Sequence, residues 1–418
     1  MTASAATRLP ACVSIAAPSL SASRSDRCIS RISASAGSID TTSSEGPAAA
    51  IARSRRSSLT LQVLAKSESG ALGQIGDIRQ AQAWQPPPSW RRVLTVESHA
   101  AGEPLRVVTG GLDPIPGATI LEKRRFAKER LDGLRRALVF EPRGHADMYG
   151  AIPTDPVTPD GDAGVLFMHN EGWSTMCGHG VIALVTVALE VGLLKDREVI
   201  RLDTPAGRVT ARPSREGGRI RSVAFENVPS FVVSLDDRVQ VPGVGEVRYD
   251  LAFGGAFYAF VNAASVGLAM TPDRFRDLIA VGSAIKLAVS AAREIRHPRE
   301  PDLSFLYGTI FTGPALGAGA DSRNVCVFAE GEVDRSPTGT GVSARVAIER
   351  ARGRLAAGGT FVVESIIGTR FAGRIARELR WEGYDAVVPE VEGSAWITGR
   401  SELLIAPDDP LAEGFILR

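Results

Sequence analysis

The chain has 418 residues, with 48 lysines and arginines, 47 aspartates and glutamates, and 44% apolar residues. This length allows two ordinary domains with a sizeable core, and the apolar fraction is typical of globular proteins. A net charge of +1 lacks the basic excess that is usual in nucleic-acid-binding proteins. The longest apolar stretch, residues 181–194, is shorter than the roughly 20 apolar residues that a bilayer requires. We therefore expect neither nucleic acid nor membrane as a partner.

The cysteines and histidines follow no metal-binding spacing. Cys12, Cys28, Cys177 and Cys326 form no C-x-x-C pair, and the five histidines show no H-x-x-x-H spacing, so we predict no zinc site. Four cysteines so placed also make a poor disulfide framework for a chain of this length, which favours a reducing compartment. We expect a cytoplasmic protein, unless the N-terminal extension directs it to an organelle.

That extension, residues 1–89, differs in composition from the rest. Its first 60 residues contain 15 serines, seven arginines and only three acidic residues, and three consecutive prolines lie at 86–88. Three interpretations remain open: an organelle transit peptide, a disordered tail, or a translation start placed too far upstream. We predict a disordered or targeting segment that has no effect on the chemistry.

From residue 91 onwards the sequence predicts a mixed α/β domain. In chain order, the hydrophobic periodicities indicate a strand, turn and strand over 91–111, a surface helix over 119–138, a strand over 164–170, a buried helix over 181–194, short strands over 200–265, a helix over 272–295, a strand over 323–334, a second helix over 341–353 and a β-rich end. The partly polar face of the 341–353 helix predicts less complete burial than that of the 181–194 helix. The elements do not alternate as they would in a doubly wound sheet.

One short pattern occurs twice. The segments CGHGVIA at 177–183 and TGTGVSA at 338–344 share the form x-Gly-x-Gly-Val-x-Ala, and each comes at a strand-to-helix junction. A helix N-terminus offers unpaired N–H groups and a partial positive charge, and glycines allow close approach of the backbone. Two such ends facing each other would bind a small carboxylate, with Cys177 and Thr338 on either side of the ligand. The alternative is a chance similarity between two short segments.

The residues at the heads of the two segments differ in chemistry. We predict that the helix N-terminus and His179 favour the thiolate of Cys177, which would make it a base; the alternative is a buried, inert cysteine. The hydroxyl of Thr338 is too weak an acid to serve as a matching base near neutral pH. Thr338 could instead cap its helix.

The segments MCGHGVIA and DRSPTGTGVSA closely resemble the two signature motifs of the proline racemase family. EPRGHADMYGA, LDTPAG and DLAFGGAFYAFV resemble further family segments in the right order, and the resemblance covers about residues 91–418. It implies an α/β fold of two similar lobes, each a barrel-like sheet around a central helix as in diaminopimelate epimerase, with the active site between the lobes. We assign the first lobe to residues 90–225, completed by 386–418, and the second to 226–385. A homodimer is usual in such families, and we expect one here.

The resemblance also implies a site. Racemases and hydroxyproline epimerases of the family have a cysteine at both motif heads, whereas the pair Cys177 and Thr338 resembles the trans-3-hydroxy-L-proline dehydratase branch. By position, the resemblance assigns the substrate's ring nitrogen to His179 and Asp334, its carboxylate to the backbone of Gly178, His179, Gly339 and Thr340, and the pocket aromatics to Tyr149 and Phe328. Asp334 could instead form a turn, and both aromatics could instead be core residues.

These features together predict an enzyme that requires no metal or organic cofactor. The predicted reaction is dehydration of trans-3-hydroxy-L-proline to Δ1-pyrroline-2-carboxylate, through α-proton abstraction and loss of the C3 hydroxyl. Two alternatives remain: a racemase or epimerase of proline or 4-hydroxyproline, and a non-catalytic amino-acid-binding protein. His99 and His145 are weaker candidates for the pocket, and Cys326, inside an apolar strand, is predicted to belong to the core.

Overall fold

The computed structural model describes residues 78–417. Most of the predicted extension, residues 1–77, lies outside the described residues. Within its remainder, Ile78–Ala83 form a short helix, α1, and the Trp84 and Trp90 rings meet edge to face with centroids 6.0 Å apart. Alanine and glutamine are good helix formers, which explains why these six residues differ from the structureless segment predicted up to residue 89.

The described chain after α1 consists of many strands and a few helices. The strands are β1 (Arg91–Ala100), β2 (Glu103–Gly110), β3 (Gly150–Thr154), β4 (Ala163–His169), β5 (Gly172–Trp173), β6 (Ile200–Thr204), β7 (Gly207–Glu216), β8 (Arg219–Glu226), β9 (Ser230–Val241), β10 (Gly245–Phe253), β11 (Phe257–Asn262), β12 (Leu306–Gly313), β13 (Ser322–Phe328), β14 (Glu332–Val333), β15 (Thr360–Glu364), β16 (Arg370–Trp381), β17 (Tyr384–Gly393) and β18 (Ala395–Ile405). The helices are α2 (Ile120–Arg130), α3 (Asp132–Val139), α4 (Gly178–Glu190), α5 (Phe275–Ala292) and α6 (Gly339–Ala351). No helix in this part of the chain combines the length and the apolar character needed to cross a bilayer.

Eight strands of the second half close into a barrel. Neighbouring strands follow the order β9, β10, β11, β12, β13, β15, β16 and β17, and β17 pairs with β9 to complete the ring. The steps from β11 to β12 and from β13 to β15 are parallel, and the others are antiparallel. The buried helix α6 packs against β9, β10, β16 and β17, so it forms the centre of this lobe.

The first half repeats the same order of strands. Its neighbours run β18, β1, β2, β3, β4, β6, β7 and β8, again with two parallel steps, from β2 to β3 and from β4 to β6. Its central helix, α4, packs against β1, β2, β7, β8 and β18. Because β8 pairs with β17 of the second barrel, the two sheets are continuous. The residue boundaries assigned to the lobes from the sequence stay a prediction.

The two central helices are buried to the same extent. The residues of α4 from Gly178 to Ala188 are all buried, and most of their side chains are apolar. The helix begins and ends earlier than the predicted 181–194 segment. α6 is buried from Gly339 to Glu349, so the prediction of less complete burial is wrong. The reason is an internal ion pair: Arg345 Nη2 lies 3.0 Å from Glu349 Oε1, and Arg345 Nη1 donates to Asn324 Oδ1 at 3.1 Å. Buried charges are tolerated when they are paired in this way.

The predicted surface helix over 119–138 is also corrected by the structure. It is two helices, α2 and α3, because Leu131 between them has a non-helical backbone with φ −118° and ψ 11°. Thr119 caps α2 in a capping box with Glu122, in which each side chain bonds the other residue's backbone N–H. This pair of helices covers β4, outside the barrel that surrounds α4.

Candidate active site

The N-termini of α4 and α6 abut each other, backbone against backbone. A Cβ added to Gly178 would lie 2.5 Å from Gly339 Cα, and one added to Gly339 would lie 2.6 Å from Gly178 Cα. No side chain can be accommodated at such distances, which is the physical reason for a glycine after each motif head. Helix geometry leaves the first N–H groups of both helices without intrahelical partners, so two sets of donors and two positive dipole ends converge on one place.

A small cavity lies at this junction. It brings together all nine residues that the sequence singled out: Tyr149, Cys177, Gly178, His179, Phe328, Asp334, Thr338, Gly339 and Thr340. Four further residues complete its wall: Met176, Tyr258, Tyr307 and Cys326. The two helix N-termini, the two motif heads and one acidic side chain therefore face a single small space. The roles assigned to the nine residues stay predictions.

Cys177 is the N-cap residue of α4 and is 4% exposed. Its Sγ accepts a hydrogen bond from the Gly180 N–H at 3.3 Å. The same sulfur lies 3.3 Å from Nδ1 and 3.5 Å from Nε2 of His179. Since the two ring nitrogens are almost equally distant from Sγ, the sulfur contacts the imidazole ring without a hydrogen bond clearly directed to one nitrogen.

The electrostatic surroundings of this thiol differ from the sequence-based expectation. Burial raises the pKa of Cys177 well above its usual value; the Gly180 N–H opposes this shift, while Asp334 and Glu103 add to it. Burial also lowers the pKa of His179 to about 4, so its imidazole is neutral at neutral pH and supplies no positive charge. The Gly180 N–H at the helix end thus favours the thiolate, as expected, whereas the neutral His179 adds no positive charge to this effect. Desolvation of a full negative charge outweighs one backbone hydrogen bond.

Thr338 holds the equivalent position at the head of α6 but is built differently. Its φ of +66° is in the left-handed region, which a β-branched residue rarely adopts, whereas Cys177 has φ −142°. Its side chain makes no capping bond to α6, so the structure does not support the capping alternative. Within the described residues, its buried Oγ1 has no hydrogen-bonding oxygen or nitrogen partner. The Cys326 thiol also lines the cavity; burial raises its pKa well above the usual value, and an interaction with the Thr338 hydroxyl opposes part of that shift.

Two buried carboxyl groups lie beside the cavity. Asp334 is 5% exposed, and its Oδ1 accepts from the Ser336 N–H at 2.7 Å in the loop that leads into α6. Glu103, in β2 of the other lobe, is fully buried, and its Oε2 accepts from the Arg335 N–H at 2.6 Å. Burial, reinforced by Asp334, raises the pKa of Glu103 well above its usual value, which favours a protonated side chain. Sequence reasoning missed Glu103, although it directly follows the glycine turn of the first hairpin.

Aromatic side chains form another wall of the cavity. The Tyr307 and Phe328 rings are stacked with centroids 5.4 Å apart, and Tyr149 meets the edge of His179 at 4.6 Å. The Tyr149 and Tyr307 hydroxyls are 2.7 Å apart. Tyr307 was not singled out from the sequence, yet a signal was present, because Tyr149 and Tyr307 each precede a glycine at an equivalent strand.

The remaining candidates have other surroundings. His99 stacks on Trp396 with centroids 5.3 Å apart, and His145 bonds the Ala146 carbonyl in an exposed turn, so neither lines the cavity. Cys326 is fully buried in β13, as expected of a core residue, but it also forms part of the cavity wall. The prediction that Cys326 belongs to the core is therefore confirmed, and its place in the cavity wall is an addition to it.

Known proteins resemble the chain over most of its described residues. The family model for proline racemase matches residues 95–416. The chain belongs to the proline racemase family. A trans-3-hydroxy-L-proline dehydratase of Colwellia psychrerythraea is 46% identical over 343 residues, which cover 81% of this chain and 97% of that protein. A 3-hydroxyproline 2-epimerase of Burkholderia multivorans is 47% identical over 332 residues, which cover 78% of this chain and 99% of that protein.

A solved member of the proline racemase family confirms the fold. The crystal structure of a hydroxyproline epimerase from Agrobacterium vitis, with bound trans-4-hydroxy-L-proline, aligns with a TM-score of 0.75 at 32% identity. The alignment covers 79% of this chain and 96% of that one. The predicted α/β fold of two similar lobes, with the site between them, is thus confirmed. Overall identity does not separate dehydratase from epimerase, since relatives with either name are equally similar to this chain.

Proposed function

We propose that the chain dehydrates trans-3-hydroxy-L-proline to Δ1-pyrroline-2-carboxylate, with Cys177 as the base and without a metal or organic cofactor. The observation that carries this proposal is the chemical asymmetry of the two helix heads. One head presents a thiol to the cavity and the other presents a hydroxyl. Of these two groups, the thiol is by far the stronger acid and is therefore the one that can serve as a base. Curated relatives named trans-3-hydroxy-L-proline dehydratase support the same reaction.

The charges of the cavity suit a zwitterionic imino acid. The substrate carboxylate binds the converging N–H groups of Gly178, His179, Gly339 and Thr340, where both helix dipoles favour an anion. The protonated ring nitrogen pairs with Asp334 in a charge-assisted hydrogen bond. With these two groups held, the α-carbon lies between the heads of α4 and α6, one on each face.

Substrate binding also resolves how a thiol with a raised pKa becomes a base. The negative charge of Asp334 opposes ionisation of Cys177. The positive ring nitrogen neutralises Asp334 and adds a positive charge near Sγ, and both changes lower the pKa of the thiol. Binding of the substrate therefore favours the thiolate form of Cys177, the form that acts as the base.

The stereochemistry of the substrate suits one base. In trans-3-hydroxy-L-proline the carboxylate and the C3 hydroxyl are on opposite faces of the ring, so the α-hydrogen and the hydroxyl share a face. The Cys177 thiolate takes the α-proton, the electron pair forms the C2–C3 double bond, and the C3–O bond breaks. The new thiol returns its proton to the departing oxygen, which leaves as water and regenerates the thiolate. The resulting enamine tautomerises to Δ1-pyrroline-2-carboxylate.

Epimerisation is the competing function because a relative of equal identity carries that name. It requires a proton to be delivered to the opposite face of the α-carbon by a second acid. Thr338 occupies that side, and its hydroxyl is far too weak an acid for efficient delivery. This argument favours dehydration for this chain.

Parallel incubations of the purified protein test the proposal. With trans-3-hydroxy-L-proline we expect Δ1-pyrroline-2-carboxylate, detected with o-aminobenzaldehyde or by mass spectrometry. With L-proline and trans-4-hydroxy-L-proline we expect no change of optical rotation. Efficient racemisation or epimerisation without pyrroline would refute the dehydratase proposal, and saturable binding without any product would support a binding protein instead. Size-exclusion chromatography tests the expected homodimer.

A further inference from the structure

Tyr149 and Tyr307 hold equivalent positions in the two halves of the chain. Tyr149 directly precedes β3 and Tyr307 lies at the start of β12, the strands that follow the first parallel step in each half. Each is followed by a glycine at which a side chain would clash. A Cβ added to Gly150 would lie 2.6 Å from Met168 Cε, and one added to Gly308 would lie 2.8 Å from Phe328 Cβ. The two phenols therefore approach the cavity from opposite lobes, and their hydroxyls meet at 2.7 Å.

The hydroxyl pair has one proton that its own hydrogen bond does not use. Two phenols offer two O–H protons, and the bond between them requires only one. The nearest further partner is Ser174, whose Oγ lies 3.5 Å from the Tyr307 hydroxyl and itself donates to the Met176 carbonyl at 2.9 Å. A distance of 3.5 Å is too long for a strong O–H···O bond. One phenolic proton is thus available to an oxygen in the cavity.

The other polar side chains of the cavity wall are engaged or face another part of the substrate in the proposed binding mode, and Thr338, whose Oγ1 has no oxygen or nitrogen partner within the described residues, lies on the opposite face. The Tyr258 hydroxyl bonds Thr340 Oγ1 at 2.8 Å, at the helix end that faces the carboxylate. Asp334 and His179 face the ring nitrogen in the proposed binding mode, and the Cys326 thiol lies beside Thr338 on the opposite face. A hydroxyl carried by C3 on the Cys177 face therefore has the Tyr149–Tyr307 pair as its available donor.

The charge state of the two phenols suits this task. Burial raises the pKa of both tyrosines well above the usual value, and Cys177 and Glu332 raise it further. Both phenols therefore keep their protons across the physiological range. Geometry places the pair on the side of the thiol, because the Tyr149 and His179 ring centroids are 4.6 Å apart and His179 Nδ1 lies 3.3 Å from Cys177 Sγ. In the proposed binding mode this is the face of the substrate that carries the α-hydrogen and the leaving hydroxyl.

We propose that the Tyr149–Tyr307 hydroxyl pair binds the C3 hydroxyl of the substrate and donates a hydrogen bond to its oxygen as the C3–O bond breaks. The pair transfers no proton, because the thiol of Cys177 supplies the proton of the departing water. It makes the cavity selective for a ring that carries a hydroxyl at C3 on the α-hydrogen face. This inference rests on the proposed dehydratase function.

The test compares ligands in a variant that cannot turn over. In a Cys177→Ala background, calorimetry gives the affinities of L-proline and trans-3-hydroxy-L-proline with and without the double substitution Tyr149→Phe and Tyr307→Phe. Loss of one neutral hydrogen bond should weaken the hydroxylated ligand roughly two- to tenfold. The affinity for L-proline, which has no hydroxyl, should change less than twofold. Tyr258→Phe is the matched control, because its hydroxyl serves the carboxylate end and its loss should affect both ligands equally.

A kinetic arm uses the same double substitution in the protein with Cys177 intact. In heavy water, exchange of the α-hydrogen should persist while pyrroline formation falls at least tenfold, since the pair acts only on C3–O cleavage. Equal weakening of both ligands, or parallel loss of exchange and elimination, would overturn the inference and leave the pair a packing feature. If the unsubstituted protein forms no pyrroline at all, the dehydratase proposal fails first, and this inference fails with it.

Discussion

The close contact between the N-termini of α4 and α6 predicts a large loss of activity in Gly178→Ala. The added methyl would lie 2.5 Å from Gly339 Cα, 2.8 Å from its carbonyl carbon and 3.0 Å from Thr340 N. Ordinary contacts of a Cβ are 3.4–4 Å, and the atoms it meets are backbone, which cannot rotate away. The two helix ends must therefore separate by roughly 1 Å, a misplacement that costs on the order of 100-fold in rate at a catalytic centre.

The same substitution should change the stability much less than the activity. Overpacking costs about 1–3 kcal/mol. Alanine is a better helix former than glycine by up to about 1 kcal/mol, which offsets part of this cost. We therefore expect a folded protein with a free energy of unfolding lowered by about 0–2 kcal/mol and a kcat/KM about 100-fold lower. Denaturant titration and pyrroline formation measure the two quantities on the same preparation.

Gly399→Ala is the matched control. An added Cβ at Gly399, in β18, would meet no atom within 4 Å, and its backbone is not in the left-handed region. It should leave both stability and kcat/KM unchanged. If Gly178→Ala retains activity within fivefold of the unsubstituted protein while Gly399→Ala behaves as expected, close approach of the two helix ends is not what shapes the site.

Three further substitutions test the chemistry of the cavity. Cys177→Ala should abolish pyrroline formation and α-hydrogen exchange because the base is lost, while calorimetry should still detect binding of proline analogues. Asp334→Asn should raise the rate of one reaction and lower that of another. Iodoacetamide should alkylate Cys177 faster at a fixed pH, because removing a negative charge lowers the raised pKa of the thiol. The value of kcat/KM should fall at least tenfold, because the substrate loses a charged hydrogen bond worth about 1.5–3 kcal/mol. Thr338→Cys should gain measurable racemisation of L-proline, seen as deuterium uptake at the α-carbon together with loss of optical rotation, because a second thiol can deliver a proton to the opposite face.

Each of these expectations has an outcome that contradicts it. More than a small percentage of residual turnover in Cys177→Ala would mean that another group is the base. Slower alkylation in Asp334→Asn would show that Asp334 does not oppose ionisation of the thiol. If the unsubstituted protein racemises L-proline rapidly, then Thr338 does not prevent proton delivery to the opposite face, and the proposed chemical difference between the two helix heads is wrong.

The sequence could predict the two helix heads because their signals are local. A glycine pattern at a strand-to-helix junction specifies a close backbone approach, and the helix N-terminus behind it specifies an anion site. Both requirements are met within a few residues of Cys177 and Thr338, so neither depends on knowing the rest of the fold. The two similar lobes were expected from the resemblance to the proline racemase family, and the duplicated pattern is consistent with them.

The electrostatics and the hydroxyl pair could not be predicted in the same way. The pKa of Cys177 depends on Glu103, which comes from another strand of its own lobe, and on Asp334, which comes from the other lobe. The sequence does not give the distances of these groups from the sulfur. Tyr307 lies in an apolar strand, where a tyrosine is usually a packing residue, and only its meeting with Tyr149 distinguishes it. The burial of α6 similarly depends on Arg345 and Glu349 satisfying each other inside the barrel.

The two halves of the chain thus share a fold but divide the chemistry unequally. Cys177 caps its own helix with its sulfur and has an extended backbone, whereas Thr338 has a positive φ and a hydroxyl that its helix does not use. A reaction that treats both faces of the α-carbon alike gains nothing from such a difference. An elimination in which the proton and the hydroxyl leave from one face needs a thiol and a hydroxyl donor on that face alone, and we infer that Cys177 and the Tyr149–Tyr307 pair provide them. Since the Thr338 hydroxyl is too weak an acid to deliver its proton to the opposite face, we infer that the same asymmetry also disfavours the competing epimerisation.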